Sequence, residues 1–434
     1  MKNIDSKKLF IASTNKDLCT RCGTCMGVCP MGAISLDKSF YPILNSDKCQ
    51  GCELCAKVCP GDGVNFEDLT EITFGYRNDS ISSIGYVSSN YIGYARDRKI
   101  REGGASGGAI TALLTGMLEK GLVEGCIVAR MNKEKPWIGE YFIAHTVEDL
   151  LDSQDSLYTS IPVNVSFKRI CNLPGKYAYV ALPCQVQGYR MAAEKIPILK
   201  EKIHFVIGLF CGGSLEPYAV NEMLQAKGLN SSDICNFQFR SGKWPGKIRA
   251  ILKSGEIVNM HYFDYKDGAY NYLIRLYMPK RCQTCIDSSN EFADISFGDV
   301  WLRDKDGRYQ FSDHSTIVVQ TSRGSQVLKE VCESGNLIAR EFKNDSIYKV
   351  QLKRKGIIAP LRIARLLGKG KQVPVYDRPA PKAGTKERLT ERMESFMLWV
   401  GQYKFFRYPI MKFVTSIYSY PLIKLSLYIK RKKY

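Results

Sequence analysis

The chain has no long hydrophobic run. Met1 to Ile11 hold no apolar stretch long enough for a secretion signal, and Ser6-Lys7-Lys8 interrupts them. A secretory leader is not expected, and free thiols point to a reducing cytoplasm. Near the C-terminus the charge-free stretch Phe413 to Ile423 contains Pro421 and is too short to span a bilayer. Neither a G-x-G-x-x-G loop nor a Walker loop occurs. Acids are scarce at the end: from Ser346 to Tyr434, 21 Lys and Arg face 4 Asp and Glu, so this segment carries most of the net charge of +19. Residues 1–345 are nearly neutral. With the charge confined to a tail and no nucleic-acid motif beside it, nucleic acid is not an expected partner.

What is abundant is cysteine, sixteen in 434 residues. Eight fall in two copies of one pattern, Cys19-x-x-Cys22-x-x-Cys25-x-x-x-Cys29-Pro30 and Cys49-x-x-Cys52-x-x-Cys55-x-x-x-Cys59-Pro60. Three soft thiolates at two-residue gaps wrap one face of an iron–sulfur cube, and the fourth ligand comes from the other run. Cys19, Cys22, Cys25 and Cys59 are therefore expected to hold one [4Fe–4S] cluster, and Cys49, Cys52, Cys55 and Cys29 a second. Zinc sites place two Cys pairs far apart, which this repeat does not do.

The length calls for two or three domains. Residues 1–66 read as an α+β ferredoxin-like module, with short strands at Ala33 to Leu36 and Tyr41 to Leu44. Residues 67–97 read as a polar connector with little regular structure. A glycine-rich turn, Gly103-Gly104-Ala105-Ser106-Gly107-Gly108, then opens a helix from about Gly108 to Gly121; its free N–H groups suit a phosphate, and a tight packing turn explains it equally well. Strand and helix alternate from Cys126 to Lys227, which argues for an α/β domain with a largely parallel sheet, and antiparallel strands follow from Asn236 to Met260. Cys184 and Cys211 fall at strand ends, where ligands of such sheets gather. With Cys282-x-x-Cys285 they read equally as a third [4Fe–4S] site or, for the first two, as buried small hydrophobes. Cys126, Cys171, Cys235 and Cys332 read as core. Arg240 and Lys243 read as contacts for an anionic cofactor or acceptor, or as a solvated turn. Residues 343–434 read as a basic, partly helical tail; within it, 396–434 interleaves aromatics with eight Lys and Arg and no acid. That mixture suits peripheral contact with the inner face of an anionic membrane, or docking to a partner.

The ordered set Gly104-Ala105-Ser106-Gly107-Gly108, Leu182-Pro183-Cys184-Gln185, Phe210-Cys211, Cys282-x-x-Cys285-x-Asp287 and Gly298-Asp299-Val300-Trp301, behind a two-cluster module, resembles the family of coenzyme F420 hydrogenase/dehydrogenase beta subunits. The resemblance covers about residues 15–325 and splits the body into 98–165 and 166–342. It implies a third cluster at Cys184, Cys211, Cys282 and Cys285. It also implies flavin, usually FAD, at Gly103 to Gly108, with Thr111, Ser156, Tyr158 and Asp299 as further contacts. Ser156-Leu157-Tyr158 stands where the resemblance implies Ser-Lys-Tyr, which removes one anionic contact and puts F420 itself in question. The implied function is an iron–sulfur flavoprotein oxidoreductase that takes electrons from a ferredoxin or another redox protein and passes them through FAD to a small organic acceptor, F420-like or from a polysaccharide pathway. The alternative is a non-catalytic subunit relaying electrons to a partner enzyme.

Overall fold

The computed structural model describes residues 9–76, 85–261, 270–306, 308–343, 353–419 and 421. The N-terminal repeat folds as two one-turn helices, α1 (Thr24–Gly27) and α2 (Leu54–Lys57), joined through the antiparallel pair β1 (Ile34–Leu36) and β2 (Pro42–Leu44). After β3 (Gly63–Val64) comes α3 (Phe66–Phe74), whose first-turn N–H groups are capped by the Asn65 side chain and by both carboxylate oxygens of Asp377.

The body is built on an eight-stranded mixed sheet. Its strands are β4 (Ser89–Ala95), β5 (Gly125–Met131), β6 (Gly139–Ala144), β7 (Tyr177–Ala181), β8 (Ile203–Leu209), β12 (Ile295–Asp299), β13 (Ser315–Val319) and β14 (Leu337–Glu341), in the order β14-β4-β13-β12-β8-β7-β5-β6. Strands β5, β7, β8 and β12 are parallel neighbours. β4 runs in the same direction, because it is antiparallel to β13, which is antiparallel to β12. The carboxyl ends of all five therefore meet one edge of the sheet. A separate antiparallel sheet holds β9 (Ile234–Ser241), β10 (Lys247–Leu252) and β11 (Ile257–Asn259).

One face of the large sheet packs on Ile100 of the short α4 (Arg98–Gly103), on the apolar side of α5 (Ala109–Glu119) and on the helix Ser322–Glu333. The other face packs on the helix Pro183–Ala193 and on Val28, Val58, Phe66 and Leu69 of the ferredoxin-like module. The module is thus part of the protein's core. Gly27 shows how close it lies: a Cβ there would come within 2.0 Å of the Asn164 carbonyl oxygen.

Two expectations are corrected. The stretch 67–97 is not a structureless connector, since it contains most of α3 and all of β4, an internal strand paired on both sides. Its Ser, Tyr and Gly content reads as polar, yet tyrosine and isoleucine suit a pleated surface bonded on both edges. The tail is also built in. The turn Lys353–Ile358 and the helices Ala359–Leu367, Thr385–Gln402 and Lys404–Val414 lie against the body, and β15 (Val375–Tyr376) pairs with β3. A buried bidentate pair between Arg407 and Glu222, at 2.7 and 2.9 Å, pins the last of these helices. Residues 420 and 422–434 of the expected membrane-contact stretch lie outside the described residues.

Candidate functional site

The cysteine loops coil because left-handed residues recur at fixed places. Arg21 (φ 56°) and Gly23 (φ 84°) in the first run match Gly51 (φ 66°) and Glu53 (φ 61°) in the second. Each loop then folds back so that a backbone N–H meets its own first thiol: Arg21 N to Cys19 Sγ and Gly51 N to Cys49 Sγ, both 3.4 Å. The one-turn helices deliver Cys25 and Cys55.

The fourth thiols cross over. Cys59 lines a void with Cys19, Cys22 and Cys25, and Cys29 lies in the electrostatic neighbourhood of Cys52 and Cys55. Burial pushes the Cys19 thiol up to about 12 and Cys59 up to about 11, and neighbouring thiols add to the rise. Four crowded, buried thiols repel one another as anions, so the set is stable as thiolates only with cations among them. Among the described residues no three Cys, His, Asp or Glu converge as ligands of a single ion. Thiols spread around a void fit a multi-iron cube in the first set.

A further set forms at the sheet edge. Cys184 opens the helix Pro183–Ala193 beyond β7, Cys211 follows β8, and Cys282 and Cys285 sit on and just past the turn Lys280–Thr284. All four line one void, together with Thr20, Arg21 and Lys355. Burial pushes Cys282 up to about 11 and raises Cys184 and Cys211, and the charge neighbours of Cys184 are Cys22, Cys282, Cys285 and Cys211. The structure therefore brings together the four dispersed thiols. Cys126 is buried as expected, but Cys235 is exposed, with its Sγ against the Ile251 and Leu252 carbonyls on the outer side of the small sheet. The β9–β10 register passes from Asn236 to Ile234 and skips Cys235, and this bulge turns that position outward.

Sequence reasoning missed three cations beside these thiols, of which the first two join the two regions. Arg21, inside the first cysteine run, pairs with Glu216 at 2.7 Å and donates to Tyr41 at 3.0 Å. Arg281, next to Cys282, donates to the Gly61 and Pro60 carbonyls at 2.7 and 3.1 Å, just after Cys59. Lys355 donates to Cys285 Sγ at 3.4 Å. Adjacency to a cysteine motif was the available signal for the first two, and a basic tripeptide for the third.

The glycine-rich turn follows β4 at the same sheet edge and caps α5 through Gly108. Its glycines answer to packing. A Cβ at Gly107 (φ 78°) would lie 2.3 Å from the Asp313 carbonyl oxygen, one at Gly108 (φ 65°) 2.3 Å from that of Ile100, and one at Gly104 2.5 Å from Gly108 Cα. Ser106 contacts Ser315 at the start of β13, and Gly103 abuts Gln154. Next to Gln154, Asp155 accepts N–H bonds from Phe239 and Arg240, Arg240 pairs with Asp299 at 2.7 Å, and Tyr158 meets the Phe239 ring edge-on. Gly103 to Gly108, Thr111 on α5, Ser156, Tyr158 and Asp299 thus belong to one connected region. Arg240, read as an anion contact or as part of a solvated turn, has a guanidinium only 2% exposed that pairs with the Asp299 carboxylate, as a buried charge requires. Lys243 is exposed.

Residues 90–168 match the N-terminal family of the coenzyme F420 hydrogenase/dehydrogenase beta subunit, and residues 175–345 match the family of its C terminus. Together they span more than half of the chain. It belongs to this family of beta subunits. Residues 6–66 match a 4Fe-4S dicluster domain. The chain is 26% identical to the coenzyme F420-dependent sulfite reductase of Methanocaldococcus jannaschii, over 72% of this chain but 46% of that protein. It is also 27% identical to the coenzyme F420 hydrogenase subunit beta of Methanothermobacter thermautotrophicus, over 55% of this chain and 79% of that one. The chain thus spans about half the length of the first relative. Its fold resembles a chain of the F420-reducing [NiFe] hydrogenase complex from Methanosarcina barkeri, with a TM-score of 0.52, 20% identity, and coverage of 68% of this chain and 98% of that one.

Proposed function

We propose that this chain, as a member of that family of beta subunits, is an iron–sulfur electron relay within an oxidoreductase, with three [4Fe–4S] sites in line. The reading rests on one observation above all. Thr20 and Arg21 line both the void among Cys19, Cys22, Cys25 and Cys59 and the void among Cys184, Cys211, Cys282 and Cys285, so one layer of protein separates the two sets. Bound clusters supply one-electron transfer at such sites. The chain's part is to hold the thiolates, exclude water and fix spacing: Arg281 ties the Cys282 turn to the residues after Cys59, and Gly27 lets the module seat against the body. Anaerobic analysis of iron, sulfide and flavin tests this reading. About twelve iron per chain is expected, and about eight would remove the third site.

A finer reading places FAD against Gly103 to Gly108, Thr111, Ser156, Tyr158 and Asp299. What favours it is the position of that region, on the same sheet edge as the third thiol set, with Asp299 at the end of β12, the strand beside the β8 that leads to Cys211. The glycine packing gives the turn a structural role as well. Co-purification of about one flavin per chain, lost on Ser106→Trp, is the expected result, whereas a flavin-free chain leaves the relay alone. An external redox protein, such as a ferredoxin, is the proposed donor, with a partner subunit or an organic acceptor such as F420 at the far end.

Peripheral membrane contact is a separate part of this reading. Phe405 is 83% exposed, Phe396, Trp399, Tyr403 and Phe406 are exposed beside it, and Glu391 and Glu394 turn inward to Arg362, Arg365 and Arg275. No helix among the described residues is long and apolar enough to cross a membrane. Aromatic rings beside Lys404 and Lys412 suit an anionic interface. Sedimentation with phosphatidylserine vesicles, lost when Trp399, Phe405 and Phe406 become Ser, is the expected outcome; equal binding by that variant would contradict it.

A further inference from the structure

The family match ends at residue 345, and three side chains from beyond it close on one short turn. Lys355 Nζ donates to Cys285 Sγ at 3.4 Å and to the Asp287 carbonyl at 2.7 Å. Arg362 donates to the Gln283 carbonyl at 3.0 Å, and Tyr376 Oη donates to the Thr284 carbonyl at 3.3 Å. The Cys282-x-x-Cys285 turn is thus clasped at successive positions by residues 70, 79 and 92 positions further along the chain. Lys355 and Arg362 are each 3% exposed. A buried ammonium is costly unless negative charge compensates it. Here Cys211, Cys282, Cys285 and Asp287 supply the surrounding charge.

We propose that Lys355 sets the reduction potential of the third site, an inference that rests on reading Cys184, Cys211, Cys282 and Cys285 as [4Fe–4S] ligands. Reduction adds one electron, and so one negative charge, inside a low-dielectric enclosure; no bond forms or breaks. A fixed positive charge on a ligand sulfur favours that added charge, and an N–H···S bond acts in the same direction. Lys355 draws electrons from the N-terminal sites toward the sheet. On this turn Arg362 and Tyr376 reach backbone carbonyls and no thiol, so they are positioning residues that hold it. The C-terminal segment is in this way a functional part of the electron path.

The test is an anaerobic redox titration of the full chain followed by electron paramagnetic resonance, with iron measured on the same samples. Lys355→Met is expected to keep full iron and to shift the third site's midpoint negative. At the wild-type midpoint its reduced-to-oxidised ratio falls about tenfold, which is about 59 mV for one electron. Lys355→Arg, which keeps the charge, stays close to wild type. If Lys355→Met does not load, Lys355→Gln is read in its place, since it keeps a donor without the charge. An unchanged midpoint in a fully loaded neutral variant overturns the proposal, as does an equal shift in Lys355→Arg. Wild-type protein with only about eight iron sinks the third site itself, an outcome distinct from either.

Discussion

In the N-terminal module eight thiols come from the 41 residues between Cys19 and Cys59, whereas the four around the third void are drawn from Cys184 to Cys285, a span of 102. The first two sets are shaped by local backbone: left-handed residues, one-turn helices and N–H···S bonds repeat in register. The third has almost no local geometry of its own. Two of its thiols are placed by the ends of β7 and β8, and its two-cysteine turn is held by Lys355, Arg362 and Tyr376. A locally encoded site tolerates changes far away, but an assembled site depends on every element that reaches it.

The largest break in the comparison comes from the crossed ligands. Cys59→Ser removes the fourth ligand of the Cys19, Cys22 and Cys25 set, and Cys29→Ser that of the other set. Each is expected to lower iron by up to about four per chain, and resonance spectra of the two variants should lose different signals. With crossed ligands Cys59→Ser loses the same signal as Cys19→Ser, and Cys29→Ser the same signal as Cys49→Ser; a Cys59→Ser spectrum that matches Cys49→Ser would mean that the ligands do not cross. Cys282→Ser should remove about four iron while leaving both N-terminal signals, so full iron content would contradict the assembled site.

Next in size is the seam between the regions. Arg281→Ala leaves the Gly61 and Pro60 carbonyls without their charged donor, and chemical denaturation should show a loss of about 2–3 kcal/mol. Gly27→Ala forces a methyl against the Asn164 carbonyl, with an expected cost of about 1–3 kcal/mol and a poorer seat for the module. If Gly27→Ala is neutral, the module is not packed as described.

The smallest effect is a pH dependence in the region of the glycine turn. Burial pushes Asp155 up from 3.8 to about 6, opposed by N–H donors from Ser156, Arg240 and Phe239. The folded chain therefore keeps this proton at pH values where the unfolded chain has released it. Its contribution is fully present below about 3.8 and is lost as pH rises to about 6. Asp155→Asn should flatten that decline by about 1–2 kcal/mol in denaturation curves taken across the window. An unchanged slope would remove Asp155 as the source. Asparagine tolerates the left-handed backbone at this position, φ 80°, so the substitution leaves the local fold in place.

The difference between the regions also explains what the sequence disclosed. The cysteine repeat pointed to both N-terminal thiol groups, and the structure places Cys59 beside Cys19, Cys22 and Cys25 and Cys29 near Cys52 and Cys55, because spacing and chemistry coincide there. The strands that lead to Cys184 and Cys211 were legible from their apolar runs, and the four-thiol grouping followed once the family resemblance was seen. The strand β4 was not, since SNYIGYA mixes polar and aromatic residues and is identified by its two bonded neighbours. Nor was the docking of the tail. The tail read as a basic segment for membrane or partner contact, yet Lys355, Arg362 and Arg407 are buried against a thiol, a carbonyl and a carboxylate 70, 79 and 185 residues away. Periodicity reports which face is apolar; it does not report which buried charge finds which partner.

The adjacency of the first and third sites is the claim on which the relay depends. The most direct measurement is the resonance spectrum of the fully reduced chain, taken with its iron content and compared with Cys184→Ser. The account predicts about twelve iron and signals broadened by interaction between neighbouring sites, with the variant losing about four iron and showing sharper N-terminal signals. Unbroadened, independent signals in the fully loaded wild type would contradict it.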